Sequence, residues 1–80
     1  MELADELVAT IGELLGRGAA LTEYLPVLRQ FRDRGLSASA AYAALERMRV
    51  GADEPTEDRI LDLLDIASGY CGPGLRVWTP

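Results

Sequence analysis

Glycine divides this chain into four stretches of similar length, at Gly16 and Gly18, Gly35, Gly51 and Gly69. Glycine is the residue that most readily ends a helix, because it enters the left-handed backbone region without a steric penalty. Inside each stretch the apolar residues recur every three to four positions, the spacing of one face of a helix. These two signals together predict an all-α fold, a bundle of four short helices over residues 1–69. A C-terminal turn and extended tail, residues 70–80, packs across it.

The first helix is expected from about residue 2 to 15. Leu3, Leu7, Ile11, Leu14 and Leu15 form its apolar stripe, with Glu2, Glu6 and Glu13 on the far side. Asp5 and Glu6 suit the positive end of the helix dipole. The second helix starts near Thr22 or Leu25, with Thr22 as N-cap and Pro26 in or near the first turn, where a missing N–H is tolerated. It ends at Arg34 before Gly35 and buries Tyr24, Val27, Leu28 and Phe31. Ser37 caps the third helix, which runs to about Val50 and packs through Ala41, Leu45 and Met48. The linker 52–55 is acidic and ends in Pro. Thr56 is the expected cap of the fourth helix, whose apolar face comprises Ile60, Leu61, Leu63, Leu64 and Ala67. The predicted core is Leu3, Leu7, Ile11, Leu14, Leu28, Phe31, Leu45, Met48, Ile60, Leu61 and Leu64. Short connections predict that consecutive helices pack as neighbours.

Eighty residues make one small domain. A chain of this size buries only about 60–65% of the surface its unfolded form exposes, so its core is thin. Cys71 is the single cysteine. It forms no intramolecular disulfide and assembles no thiolate metal site, and a reducing, cytoplasmic setting is the simplest expectation. Its neighbours suit a small apolar residue under the tail, although Arg76 is placed to lower the thiol pKa. The N-terminus carries Glu2, Asp5 and Glu6 where a secretory signal needs basic residues. No apolar run approaches the roughly 20 residues that span a bilayer.

The side-chain inventory narrows the chemistry. All eight basic residues are Arg, and there is no His, Lys or Asn. This bias resembles the coding of a GC-rich bacterial genome. Without His there is no Ser-His or Cys-His nucleophile pair and almost no transition-metal site. Without Lys there is no Schiff base and no P-loop lysine. The expectation is a non-enzymatic protein with no cofactor, no metal and no catalytic residue. The net charge of −5 opposes free nucleic acid and favours a basic partner.

Three surfaces stand out. Asp58, Asp62 and Asp65 fall at i, i+4 and i+7, on one face of the fourth helix. The simplest account is a solvated face; the functional account is a docking stripe for a basic protein. The spacing lacks the loop and turn glycine of an EF-hand calcium site. The tail holds Tyr70, Arg76 and Trp78, residue types enriched at interface hot spots, although folding back to enlarge a thin core explains Trp78 as well. Finally, residues 17–50 hold six Arg against three acids. Complementarity with the acidic first and fourth helices accounts for this. A helix-turn-helix through Gly35 is the other account, but its reading helix starts with Ala and Ser, where base-contacting side chains belong.

The stretch Asp62-Leu63, Ile66, Ser68-Gly69 resembles the end of a double-glycine leader, with Ser68 in place of the first Gly. That resemblance implies release of residues 70–80 as a peptide; an amphipathic helix ending in Gly produces the same pattern. Small acidic helical immunity proteins are similar in size, charge and class, without a shared motif. The chain is therefore expected to bind proteins, most concretely as an acidic inhibitor or immunity-type protein. It would steer a basic partner with Asp58, Asp62 and Asp65 and anchor it with Tyr70 or Trp78. The alternatives are a self-associating helical adaptor, using apolar residues left outside the stripes (Val8, Val50, Ile66), and a helix-turn-helix DNA-binding regulator.

Overall fold

The computed structural model describes residues 2–69 and 77–78. The helices are α1 (Leu3–Gly16), α2 (Leu21–Asp33), α3 (Ala38–Arg49) and α4 (Glu54–Ser68). No strand occurs among the described residues.

The broadest packing is α3 against α4, followed by α1 against α3 and α1 against α2. Helices α2 and α3 are consecutive, yet they approach each other less than these pairs do. Helix α1 therefore packs on both α2 and α3, while α4 packs mainly on α3 and meets the start of α2 at one end. That position suits α1, whose Leu7, Ile11 and Leu14 are all buried.

The caps decide where each helix begins, and two differ from the sequence expectation. Thr22 does not cap α2. Ala20 holds that position, and the Glu23 carboxylate reaches back to accept the Ala20 N–H at 2.7 Å. This reach-back satisfies the Ala20 N–H, one half of a capping box; the other half, an N-cap side-chain acceptor, is something the Ala20 methyl cannot supply. Pro26 consequently lies inside α2, beyond its first turn. Its ring is exposed, and so is Thr22, whose carbonyl loses the usual i+4 partner but remains open to water. Thr56 likewise does not cap α4. Asp53 does, accepting the Thr56 N–H at 3.1 Å and leaving Pro55 in the first turn. An ionised carboxylate is a stronger acceptor there than a hydroxyl. Ser37 caps α3 as expected, accepting the Ala40 N–H at 3.1 Å.

The turn after α2 follows the predicted form. Gly35 takes φ +104°, and the Leu36 N–H returns to the Phe31 carbonyl at 3.0 Å. Leu36 then buries itself behind the turn. The end of α4 is similar, with Gly69 at φ +86°.

The core contains Leu7, Ile11, Leu14, Leu28, Phe31, Leu45, Ile60 and Leu64, as predicted. Leu3 and Met48 are only partly buried and pack at its edge. Leu61 does not belong to it: it is 38% exposed, whereas Leu63 is fully buried. At about 100° per residue, Leu61 points roughly 110° away from the mean direction of Ile60, Leu63, Leu64 and Ala67. Ile66 is the opposite correction. Expected among the leftover apolar residues, it is buried, three positions along the same side from Leu63. Leu63 and Ile66, which carry the leader-like pattern, thus serve as core residues. Val8 is also partly buried rather than free.

Val77 and Trp78 dock on the α2–α3 turn. Val77 is buried, and its carbonyl accepts from Arg32 Nη1 at 2.8 Å. Trp78 is partly buried, and its indole N–H donates to the Leu36 carbonyl at 2.8 Å.

Candidate functional site

Helix α4 presents an outer face that carries three aspartates. Its register is set by the Asp53 cap and by Ile60, Leu63, Leu64 and Ala67 on the core side. With those four inward, Asp58, Asp62 and Asp65 turn outward, and all three are exposed. Leu61 lies on the same face, between Asp58 and Asp65 in the i, i+3, i+4, i+7 pattern. The stripe is therefore three carboxylates with one exposed leucine along its edge, a composition that assigning Leu61 to the core face does not anticipate. The signal that locates Leu61 there is its angle from the core direction, not its hydrophobicity.

Only Asp62 of the three carboxylates has a described ion-pair partner, Arg59 at 3.5 Å. Such an exposed pair contributes little stability. Glu54 and Glu57 add negative charge in the first turn of α4. Asp53 is already engaged: hydrogen bonding from the Thr56 side chain and its backbone N–H holds its carboxyl below the ordinary carboxylate range. Among the described residues, no group of three or more His, Cys, Asp or Glu side chains is arranged to hold a metal ion.

Three arginines of the middle of the chain, Arg34, Arg47 and Arg49, face acids on other helices. Arg34 donates to the Glu6 carboxylate at 2.7 Å, tying α2 to α1, and stands 5.2 Å above the Phe31 ring centre. That hydrogen bond is the main reason the Glu6 pKa is lowered. Arg47 approaches Asp5 at 4.0 Å, and Arg49 bridges Glu46 at 3.2 Å and Glu57 at 3.6 Å. Part of the uneven charge along the sequence is thus internal complementarity, through Arg34, Arg47 and Arg49.

The structure does not gather the sequence-predicted site residues on one surface. Asp58, Asp62 and Asp65 share the α4 face, while Trp78 lies against the α2–α3 turn, its indole N–H satisfied within the chain. Tyr70 and Arg76 lie outside the described residues, as does Cys71. A second surface was only partly foreseen. Val50 is 85% exposed at the end of α3, beside a groove that Gly12, Gly16 and Met48 also line. The groove continues toward Val8, Asp5 and Arg47.

No protein-family model, curated protein or solved structure matches this chain. No helix among the described residues is long and apolar enough to cross a membrane.

Proposed function

We propose that this chain is a non-enzymatic protein-binding module, and that it engages a basic protein through the outer face of α4. The supporting observation is the exposed line Asp58, Asp62 and Asp65 with Leu61 along its edge. Carboxylates of one sign accelerate encounter with a basic surface, and an adjacent apolar side chain provides area that association can desolvate. An acidic inhibitor or immunity-type protein is the most concrete form of this reading. The absence of His and Lys from the whole sequence agrees with a binding role.

The test is capture of proteins from the native host lysate on the immobilised chain, followed by association kinetics with whatever basic protein is retained. Changing Asp58, Asp62 and Asp65 together to Ser should slow association about tenfold at low salt and flatten its salt dependence. An on-rate unchanged by the triple substitution overturns the steering role.

Self-association is supported by a separate observation, the exposed Val50 beside the Gly12–Met48 groove. Asp5 and Arg47 stand together at the edge of this apolar surface, both exposed and 4.0 Å apart. An acid beside a base is self-complementary under a two-fold axis, where each pairs with the other in the second copy. Mass measured by light scattering should rise with concentration and remain monomeric in Val50→Asp. A chain monomeric at all concentrations removes this reading. The helix-turn-helix reading draws less support, because Arg47 and Arg49 already face Asp5, Glu46 and Glu57.

A further inference from the structure

Tyr24 is the largest fully buried side chain in the molecule, with 1% of its surface exposed. A buried tyrosine ordinarily ties its hydroxyl to a partner. Among the influences on the Tyr24 phenol, burial comes first and no hydrogen bond to a described residue appears. Tyr24 lines a cleft of about 210 Å³ between the end of α1, the start of α2 and the start of α4. Leu15, Ala19 and Pro55 form the apolar part of that wall, and Thr56 and Arg59 the polar part.

The cleft has a defined electrostatic sense. Burial is the main influence on the Tyr24 phenol and raises its pKa, so at neutral pH the group keeps its proton and acts as a donor. The positive charges of Arg59 and Arg17 bear on the same phenol, opposed by Glu23. Arg59 has one described ion-pair partner, the exposed Asp62 at 3.5 Å, which leaves most of its five donors for other acceptors. A neutral O–H donor and a guanidinium therefore line one small, partly apolar space. A cation is repelled there, and a neutral ligand forgoes the charge-assisted bond. The volume is below the roughly 300–1,000 Å³ of sites for drug-sized molecules, which limits the occupant to a few heavy atoms. The chain's net charge of −5 works against anions at long range, so selection depends on these local donors.

We propose that this cleft binds a carboxylate borne on a short apolar chain, with Tyr24 and Arg59 as its donors and Leu15, Ala19 and Pro55 enclosing the apolar part. Thr56 lines the same wall and supplies a further hydroxyl. The cleft opens beside the acidic α4 face and shares with it the Arg59–Asp62 pair, but its ligand is of the opposite charge to the basic partner proposed there.

The test is a two-dimensional amide NMR titration of the full chain with butyrate at neutral pH and constant ionic strength, with butyramide as the uncharged control. Saturable shifts centred on Ala19 and Thr56 are expected, with a Kd on the order of millimolar for so small a ligand. Tyr24→Phe keeps the ring in the core, and Arg59→Gln changes a side chain at the rim. Each should weaken butyrate about tenfold or more while leaving a dispersed native spectrum. A tripeptide with a free C-terminal carboxylate, run against its amidated form, separates a free short acid from a peptide terminus as the source of the group. Binding of either carboxylate form supports the site. Absence of saturable shifts with both, equal shifts with butyramide, or unchanged binding in the two variants overturns it.

Discussion

The indole Nε1–H of Trp78 donates to the backbone carbonyl of Leu36 at 2.8 Å, joining positions 42 residues apart. The acceptor belongs to the turn that Gly35 makes, where a carbonyl has left the helical ladder and needs another donor. Arg32, on the last turn of α2, holds the neighbouring Val77 carbonyl at 2.8 Å. Two side chain-to-backbone bonds therefore fasten Val77 and Trp78 to the end of α2. Trp78→Phe removes the donor but retains a large ring. It should lower unfolding free energy by about 1 kcal/mol, read from the midpoint of urea denaturation with an unchanged slope. No change would show that the bond is replaced by water without loss.

Leu61 and Leu63 differ by two positions and by their entire environment. Leu63→Ala opens a cavity in the α3–α4 core and should cost about 2–5 kcal/mol. Leu61→Ala should cost under about 1 kcal/mol, because its side chain is already partly in water. Thermal unfolding of the two variants side by side checks this. Equal losses would place Leu61 in the core after all.

Gly12 and Gly35 are predicted to respond to alanine in opposite directions. Gly35 holds φ +104°, so Gly35→Ala strains the turn and should destabilise by about 1 kcal/mol or more. Gly12 is an interior helical position, and an added Cβ would meet only the end of Met48 at 4.0 Å. Gly12→Ala should therefore stabilise by about 0.5–1 kcal/mol. Denaturant midpoints moving in opposite directions are the expected result.

Glu6 and Asp53 both have lowered pKa values, Glu6 chiefly through its hydrogen bond with Arg34 and Asp53 chiefly through Thr56. A carboxylate with a lowered folded-state pKa binds fewer protons when folded than when unfolded. Its contribution is complete above the ordinary carboxylate range and is lost as pH falls through the lowered value. The melting temperature should thus fall on the acid side of that range. Glu6→Gln and Asp53→Asn should each make the acid limb shallower. An acid limb of unchanged slope in both would assign the loss to other groups.

The four helices were legible because their signals are local. Apolar residues at Leu7, Ile11 and Leu14 select one face of α1, and a glycine such as Gly35 adopts its left-handed turn wherever the chain places it. The α2 and α4 caps were less legible. Thr22 and Thr56 have the right chemistry for caps, but Glu23 and Asp53 supplied the acceptors from within three residues of the positions that needed them. Such competition is settled by small energy differences between neighbouring registers. The acid line on α4 could be read from spacing alone; the same spacing places Leu61 at its edge, but hydrophobicity, which does not reveal direction, assigns it to the core.

What the sequence determined by itself is the helical class, the number of helices and most of the core, all consequences of periodicity within a turn or two. What only the tertiary structure decided is the choice of neighbours: α1 on both α2 and α3, Arg34 on Glu6, Trp78 on Leu36, and the cleft in which Tyr24 meets Arg59. Those relations join residues far apart in the chain. They depend on how several faces pack together at once, which no local spacing encodes.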